Sequence, residues 1–514
     1  MKVELINDLY KLSFIFFVLF VFFLTGCSTP RESAEAPKIK PTATPIPIAV
    51  PAPVYVPPVV VPTVAPTVAP TAIPKFKPTA TKASKIMTMP KQSTVTDIRN
   101  ATVFSITNEY QQFPKSLQKE FKDIVDNEFF AISEKAGISI AVYTDGTLWA
   151  YASGKASESL DMTVNTPLMI SSTSKTFLSP LILTQIENGH YKLSDSLETV
   201  LSGHPDFSSL PTDKINPRVT IEELLTMTSG LSDFNDNIEG KSELMKKSEW
   251  SPSDLIKLVQ SQYTESGTYE YNDTNVVLLG MIAEFHSGQR LADLYRESFY
   301  NTLSITAITL PEEGIKWHPG ILKDPGEQFS IPNMAMPYTD ISRWASGFGN
   351  MIDAAPFGFG YYIGVIGRNR YACCGIISTP ENMARWTYEL YSSKGSAISK
   401  SVRSQLLSSF SDKRIPPWSI RKSSRPGYIP DQYGYLVSKK TIRLPDDYTV
   451  MAYGHLGGGS GYSGWMHYSP ELDLSIAILT NSQMKLSGTC KVENPGNCIT
   501  VDVFKKYKEQ MSSQ

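Results

Sequence analysis

Two residues one helical turn apart, Ser172 and Lys175, are the first group in this 514-residue chain whose types and spacing suit chemistry. They lie in a hydroxyl-rich run, 171–175, that leads into the apolar segment Phe177–Leu183, a pattern that predicts the start of a buried helix. Residues three apart on a helix are neighbours, so the lysine can accept the proton of the serine hydroxyl. The helix N-terminus favours the negative charge that develops. The pair predicts a nucleophilic serine, although Ser-x-x-Lys also occurs by chance and needs support from the rest of the chain.

The segments around this pair predict a sheet covered by helices. Apolar residues at helical spacing predict a helix in 114–135, and the Ser172 helix is predicted to run to Gly189 with a kink at Pro180. Thr144-Asp145-Gly146 joins two predicted strands, 137–143 and 148–152, into a hairpin. Further strands are predicted at Tyr433–Val437, Tyr448–His455, Tyr462–Tyr468 and Leu474–Thr480, with helices after Thr220, at Val276–Phe285, after Thr379 and at about 500–510.

Five short motifs, in order and over about 105–510, resemble those of the penicillin-recognising serine hydrolases. The most similar branch is the class C β-lactamase-like group, which also contains DD-peptidases and esterases. The resemblance implies an α/β (α+β) fold, with an antiparallel sheet flanked by helices and a mostly helical subdomain, and the site at their junction. The motifs are Ser172–Lys175, Leu224–Leu231, Tyr271–Asp273, Thr379–Glu381 and His455–Ser463.

The same resemblance assigns roles to residues. It implies that Ser172 is the acylated nucleophile, that Lys175 accepts its proton, and that Tyr271 is a second base and the acid for the leaving group. His455 and Gly457 stand where the family carries the first and last residues of a Lys-Thr-Gly strand. The resemblance further implies an oxyanion hole made by the backbone N–H groups of Ser172 and Gly458.

Two departures from the family pattern bear on the substrate. Asp273 stands where the family often has an asparagine that contacts substrate; a carboxylate there favours the charged lysine and shifts the role of base towards Tyr271. His455 replaces a permanently charged lysine, so binding of a substrate carboxylate is expected to be weaker or pH-dependent.

Other kinds of site are not indicated. Residues 459–464 match GxGxxG but precede a predicted strand, so they are interpreted as glycines beside the site and not as a dinucleotide loop. The six histidines lack metal-ligand spacing, and no metal or other cofactor is predicted. A net charge of −2 gives no indication of a nucleic-acid partner.

The first part of the chain predicts export and attachment to a membrane. A hydrophobic run, Leu12–Leu24, is followed by Leu24-Thr25-Gly26-Cys27, which resembles the lipobox of bacterial lipoproteins and implies lipidation of Cys27. Acidic residues before the run leave a retained anchor or another cleavage site as alternatives. We therefore predict a signal peptide at 1–27, a proline-rich linker at 28–98 and a hydrolase domain at 99–514.

Export permits disulfides. A bridge between Cys490 and Cys498 is plausible because they flank a turn-rich loop, whereas a bond between the adjacent Cys373 and Cys374 is strained. Sequence alone does not choose among the possible pairings.

These observations favour a membrane-tethered serine hydrolase acting on D-alanyl peptides of peptidoglycan or on β-lactams. An esterase or amidase for small acyl compounds is the first alternative, favoured by the loss of the family's lysine. An inactive, surface-displayed binding protein is the second. Substrate specificity is expected to depend on the aromatic-rich, aperiodic segment 310–372, interpreted as an ordered lid or substrate wall.

Overall fold

In this computed structural model the described residues all belong to one compact unit, Pro78–Gln514. They are 104–106, 108–129, 136–246, 250–310, 333–336, 338–340, 359–361, 371–410, 432–444, 448–459, 461–482 and 495–513. The predicted signal peptide and linker lie outside them, as does most of the predicted insertion at 310–372. Among the described helices, none is long and apolar enough to cross a membrane.

The described strands form one large sheet and two small ones. The strands of the large sheet are β1 (Gln111–Gln112), β2 (Gly137–Thr144), β3 (Thr147–Gly154), β9 (Gln432–Tyr433), β10 (Ser438–Arg443), β11 (Thr449–Gly459), β12 (Tyr462–Ser469) and β13 (Leu474–Thr480). Their order across the sheet is β1-β3-β2-β13-β12-β11-β10-β9, and the pairs are antiparallel except for the edge pair β1 and β3. The small sheets contain β4 (Leu168–Met169), β5 (Ala307–Thr309) and β8 (Ile376–Ser378), and β6 (Tyr338–Asp340) with β7 (Phe359–Tyr361).

The helices cover both faces of the large sheet and form a helical region beside it. The α-helices are α1 (Lys115–Phe129), α2 (Lys175–Glu187), α3 (Leu197–Leu201), α4 (Ile221–Leu225), α5 (Ile238–Lys246), α6 (Pro252–Ile256), α7 (Asp273–Ser287), α8 (Leu291–Tyr295), α9 (Asn301–Leu303), α10 (Pro380–Tyr391), α11 (Lys400–Ser408) and α12 (Pro495–Ser512). The chain also forms 3₁₀ turns at Ser171–Ser174, Phe207–Ser209 and Phe234–Asp236, and a π-turn at Arg296–Tyr300.

The centre of the large sheet is buried on both faces. In β13, Ile476 and Ile478 pack into the core shared with α1 and α12, whereas Ala477 and Leu479 pack into the core on the opposite face. Successive side chains of a strand point to opposite faces, so a strand covered on both sides reads as a continuous apolar run. This explains why Leu474–Thr480 was predictable to the residue.

The predicted hairpin and fold class are confirmed, and β2 joins the C-terminal strands by pairing with β13. Asp145 and Gly146 both have positive φ, 40° and 82°, as a two-residue hairpin turn requires. The helix α2 continues through Pro180 and ends before Gly189, where φ is +80°.

The predicted strand at Tyr433–Val437 is wrong. Regular pairing ends at Tyr433, and the chain turns before β10 begins at Ser438. Leu436 has φ +54°, outside the extended region, and its N–H donates to the carbonyl of Leu225 at 3.0 Å. Apolar residues here pack against the helical region instead of extending a strand.

Candidate active site

The Ser172 hydroxyl lies on a turn that precedes α2. The 3₁₀ turn Ser171–Ser174 runs directly into the helix that begins at Lys175. Ser171 has φ +52°, a conformation that costs a non-glycine residue energy and is found mainly where surrounding contacts enforce it. Such contacts are present: Thr173 Oγ1 donates to the Ile170 carbonyl at 2.5 Å, and Ser174 Oγ accepts from the N–H of Ile376 at 3.2 Å. The partly exposed Ser172 is thereby fixed between buried neighbours.

Lys175 is fully buried and has three oxygen partners. Its Nζ lies 3.1 Å from Ser172 Oγ, 2.8 Å from Asp273 Oδ1 and 3.2 Å from the Cys373 carbonyl. Burial by itself lowers the pKa of a lysine, but the negative charge of Asp273 and its neighbours outweighs it and raises the pKa of Lys175 well above its usual value. In the resting site Lys175 is therefore an ammonium that donates to Ser172.

Asp273 is held at the first turn of α7, where the helix dipole favours a carboxylate. Asn272 caps this helix by accepting from the N–H of Asn275 at 3.1 Å, and Asn235 Nδ2 donates to Asp273 Oδ2 at 2.9 Å. A second carboxyl, Asp233, is nearby: burial and then the charge of Asp273 raise its pKa. The structure thus places Asp273 against Lys175, as the departure from the family pattern led us to expect.

The Leu224–Leu231 motif braces the start of α7. Ser229 Oγ donates to Asn275 Oδ1 at 2.6 Å, and Thr274 Oγ1 donates to the Ser232 carbonyl at 2.8 Å. Gly230, with φ +71°, packs so closely that a Cβ there would lie 2.4 Å from the Thr264 carbonyl. These contacts fix the segment that carries Tyr271 and Asp273.

The ring of Tyr271 lies over the ammonium of Lys175. The lysine Nζ is 5.0 Å from the centroid of the tyrosine ring. Although 38% of Tyr271 is exposed, burial at its hydroxyl raises its pKa, and the positive charge of Lys175 offsets only part of this effect. At neutral pH Tyr271 is therefore a phenol, and the Lys175–Tyr271 pair must lose a proton before it can accept one.

His455 lies in β11 with its ring buried and neutral. Its Nδ1 lies 2.6 Å from the Leu456 carbonyl, so Nδ1 carries the proton. Its Nε2 accepts a hydrogen bond from the Tyr433 hydroxyl, and these two atoms are 3.1 Å apart. Burial and the charge of Lys175 lower the pKa of His455 to about 3. Replacement of the family's lysine by His455 was expected to make binding of a substrate carboxylate either weaker or pH-dependent. A neutral His455 fits the weaker binding, whereas it does not fit binding that changes with pH near neutrality.

The glycines after His455 let β11 approach the nucleophile. A Cβ on Gly457 would lie 2.2 Å from the Ile170 carbonyl and 3.4 Å from Ser171 Cβ. Only glycine permits this spacing, which brings the strand carrying Gly458 against the turn of Ser172. The oxyanion hole formed by Ser172 and Gly458 remains a prediction.

Sequence reasoning missed the two cysteines of the site. Cys373 and Cys374 are buried thiols that belong to no disulfide. Cys374 Sγ lies 3.9 Å from both Ser172 Oγ and Asp273 Oδ2. In the sequence their adjacency bears only on disulfide pairing, and the one signal of a role in the site is their position directly after the predicted substrate wall.

Of the other three cysteines, only Cys498 lies among the described residues. Cys498 is disulfide-bonded, and neither Cys373 nor Cys374 is its partner. The expected partner, Cys490, lies outside the described residues, as does Cys27.

The chain is also similar to known proteins in sequence. The sequence profile of the family described as "Beta-lactamase" matches residues 125–489. Penicillin-binding protein 4 of Amycolatopsis lactamdurans is 26% identical over 224 residues, 43% of this chain; the match spans only 56% of that protein.

Solved structures share the fold at low sequence identity. The D-amino acid amidase of Ochrobactrum anthropi SV3 aligns with a TM-score of 0.58 and 18% identity, over 77% of this chain and all of the amidase chain. The octameric penicillin-binding protein homologue of Pyrococcus abyssi aligns with a TM-score of 0.51 and 20% identity, over 78% of each chain.

Proposed function

The chain belongs to the β-lactamase family, and from this premise we propose that it is a serine hydrolase whose Ser172 is acylated by substrate and then deacylated by water. The observation that carries the proposal is the 3.1 Å hydrogen bond between the fully buried Lys175 Nζ and Ser172 Oγ. A buried lysine held against a serine by a carboxylate and a backbone carbonyl supports a role in proton transfer better than a role in packing.

The proposed reaction begins with loss of one proton from the Lys175–Tyr271 pair. Because the two groups interact, this proton belongs to the pair and not to one residue. Ser172 Oγ then attacks the substrate carbonyl carbon while its proton passes to the pair. As the carbonyl–leaving-group bond breaks, Tyr271 returns that proton to the leaving group, and water later attacks the acyl-enzyme by the same route. The N–H groups of Ser172 and Gly458 would stabilise the oxyanion in both steps.

The proposed substrates are D-alanyl peptides of the cell wall or β-lactams, with Asp273 and Gly457 lining the substrate. The neutral His455 favours a second candidate, an esterase or amidase for small acyl compounds. Among the described residues, the cation in contact with Ser172 is Lys175, which is already paired with Asp273. A substrate carboxylate therefore has less to gain here than in a site with a free lysine. The similarity in fold to a D-amino acid amidase is consistent with this candidate.

Turnover of four substrates separates these candidates. We would assay the full chain and its Ser172→Ala variant with a D-alanyl-D-alanine peptide, nitrocefin, p-nitrophenyl acetate and a D-amino acid amide. The proposal expects Ser172-dependent turnover of at least one of them, and the preferred compound assigns the class. Equal rates with both proteins, or turnover by neither, would contradict a hydrolase based on Ser172 and favour the binding-protein alternative.

We also propose that the hydrolase domain, 99–514, is exported and tethered to a membrane by lipid on Cys27. The lipobox-like sequence supports the anchor, and the proline-rich composition of residues 28–98 supports an extended tether.

A further inference from the structure

Three side chains of types that can bind a metal ion lie together beside Lys175. The two thiols among them have no role in the proposed acyl transfer. This cluster comprises the carboxylate of Asp273 and the thiols of Cys373 and Cys374, whose donor atoms all lie within 4.8 Å of one another. Buried cysteines outside disulfides usually act as small apolar core residues. Here both sulfur atoms also lie close to a carboxylate oxygen.

We propose that Asp273, Cys373 and Cys374 form a binding site for a thiophilic divalent cation, with Zn²⁺ as the expected ion, and that its occupation inhibits the hydrolase. The inhibition rests on the proposed function, whereas the binding does not. This site was not expected from the histidine spacing, because its ligands are two adjacent cysteines and an aspartate about a hundred residues earlier in the chain.

The distance between one thiol and the carboxylate is close to that expected in a zinc site. Bonds of about 2.3 Å to sulfur and about 2.0–2.2 Å to oxygen place neighbouring ligands of a tetrahedral ion about 3.6 Å apart. Cys374 Sγ and Asp273 Oδ2 are 3.9 Å apart, so a movement of a few tenths of an ångström brings them to that distance. Two thiolates select zinc or cadmium over magnesium and calcium, which prefer oxygen ligands.

The charges around the cluster balance when the ion is bound. Binding requires each thiol to release one proton to solvent, giving two thiolates beside one carboxylate. Their three negative charges are matched by the two positive charges of the ion and the one of Lys175, which lies 2.8 Å from Asp273. No oxidation is involved. A neutral cluster avoids the large cost of an unbalanced buried charge.

Occupation of this site interferes with the nucleophile in two ways. The ion draws on the carboxylate that pairs with Lys175, and so disturbs the group that exchanges a proton with Ser172. In addition, Ser172 Oγ is 3.9 Å from Cys374 Sγ, close enough to become the fourth ligand of the ion. A serine oxygen bound to zinc in this way cannot attack a substrate.

Cadmium provides a direct test of binding, because its thiolate complexes absorb in the ultraviolet whereas zinc is spectroscopically silent. We would titrate Cd²⁺ into the full chain, the Ser172→Ala variant and the Cys373→Ser/Cys374→Ser double variant. We expect one equivalent to produce a thiolate band in the first two proteins, and Zn²⁺ to displace it. In the double variant we expect at least about 100-fold weaker binding, since two of the three proposed ligands are lost. Equal bands and affinities in all three proteins would overturn the site.

Activity measurements test the second half of the proposal. Zn²⁺ should inhibit the wild type reversibly, with recovery on adding a chelator, and the double variant should resist it; each protein is compared with its own metal-free rate. Cadmium binding by the wild type without zinc inhibition would overturn the inhibitory role. If the wild type has no hydrolase activity, the band in Ser172→Ala still decides the metal site. If the double variant fails to fold, Asp273→Asn replaces it and should bind Cd²⁺ about 10-fold more weakly or worse.

Discussion

Lys175 combines complete burial with a positive charge, and the residues around it decide how it reacts. Ser172 and Lys175 were predictable because they lie three residues apart at the start of an apolar helix, a local pattern. Their neighbours Tyr271, Asp273 and His455 were located through the family resemblance, and the structure brings all five together. Cys373 and Cys374 escaped prediction because no spacing in the sequence links them to Ser172; only the fold does.

Replacing Asp273 tests the electrostatic account of Lys175. In Asp273→Asn the negative charge that raises the pKa of Lys175 is lost, so the lysine should release its proton more readily. We expect the rising limb of the pH profile of kcat/KM to move to lower pH. The control Asp161→Asn removes a surface partner of Lys155 and should leave the profile in place. An unshifted limb in Asp273→Asn would show that this carboxylate does not govern the base.

The neutral state of His455 makes a prediction about substrate charge. Because its pKa is lowered to about 3, His455 gains no proton between about pH 5 and pH 8. The ratio of kcat/KM for a substrate with a carboxylate to that for its uncharged amide analogue should therefore be constant over this range, apart from titration of the substrates. A ratio that falls through about pH 6.5 would instead indicate a histidine that titrates in the site.

At the scale of elements, the approach of β11 to the Ser172 turn depends on Gly457. Gly457→Ala puts a methyl group 2.2 Å from the Ile170 carbonyl, so the strand or the turn must move. We expect at least about a 100-fold loss of kcat/KM, because displacement of positioned groups by about 1 Å has effects of that size. The control Gly203→Ala meets only the end of the Phe285 side chain at 3.2 Å and should retain activity. Full activity of Gly457→Ala would remove the support for an oxyanion hole on this strand.

The helix α7 is also coupled to the turn Tyr371–Cys374 through Glu284. This partly buried carboxyl accepts from the Tyr371 hydroxyl at 2.6 Å and from the Leu291 N–H at 2.7 Å. Burial raises the pKa of Glu284 to about 7, above its unfolded value. Its contribution to the free energy of unfolding is therefore full below the unfolded pKa of about 4.3 and is lost as pH rises through about 7.

Glu284→Gln separates this contribution from the other titrating groups. The glutamine keeps the shape but does not titrate, so its stability relative to wild type should rise between about pH 5 and pH 8, by at most about 1.4 kcal/mol per pH unit. Urea unfolding of both proteins at the two pH values measures the difference. A difference that stays constant with pH would mean that Glu284 does not titrate in this window.

Strands and helices were predictable from the sequence where one local pattern, such as an apolar run or a turn sequence, extends over the whole element. The strand β13 and the hairpin of β2 and β3 follow from apolar runs and a turn sequence. The chain at 433–437 was mistaken for a strand because its apolar residues pack against the helical region after a turn. The mostly polar β10, close to the sheet edge, gave no pattern to detect.

At the scale of the whole molecule, the predicted lipid anchor is open to a chemical test. Cells expressing the full chain and given an alkyne-bearing fatty acid should label the wild-type protein, whereas Cys27→Ser should remain unlabelled. Equal labelling of the two proteins would contradict lipidation at Cys27, and absence of label from both would favour the retained anchor or another cleavage site.

The central claim is that Ser172 carries a covalent acyl group, and the mass of the intact protein tests it most directly. The full chain and Ser172→Ala would be incubated with a slowly hydrolysed penicillin, quenched in acid and weighed by mass spectrometry. We predict that the wild type gains the mass of one penicillin, on the peptide that contains Ser172, and that the variant gains nothing. An adduct of the same mass on Ser172→Ala, or on a different peptide of the wild type, would contradict the account.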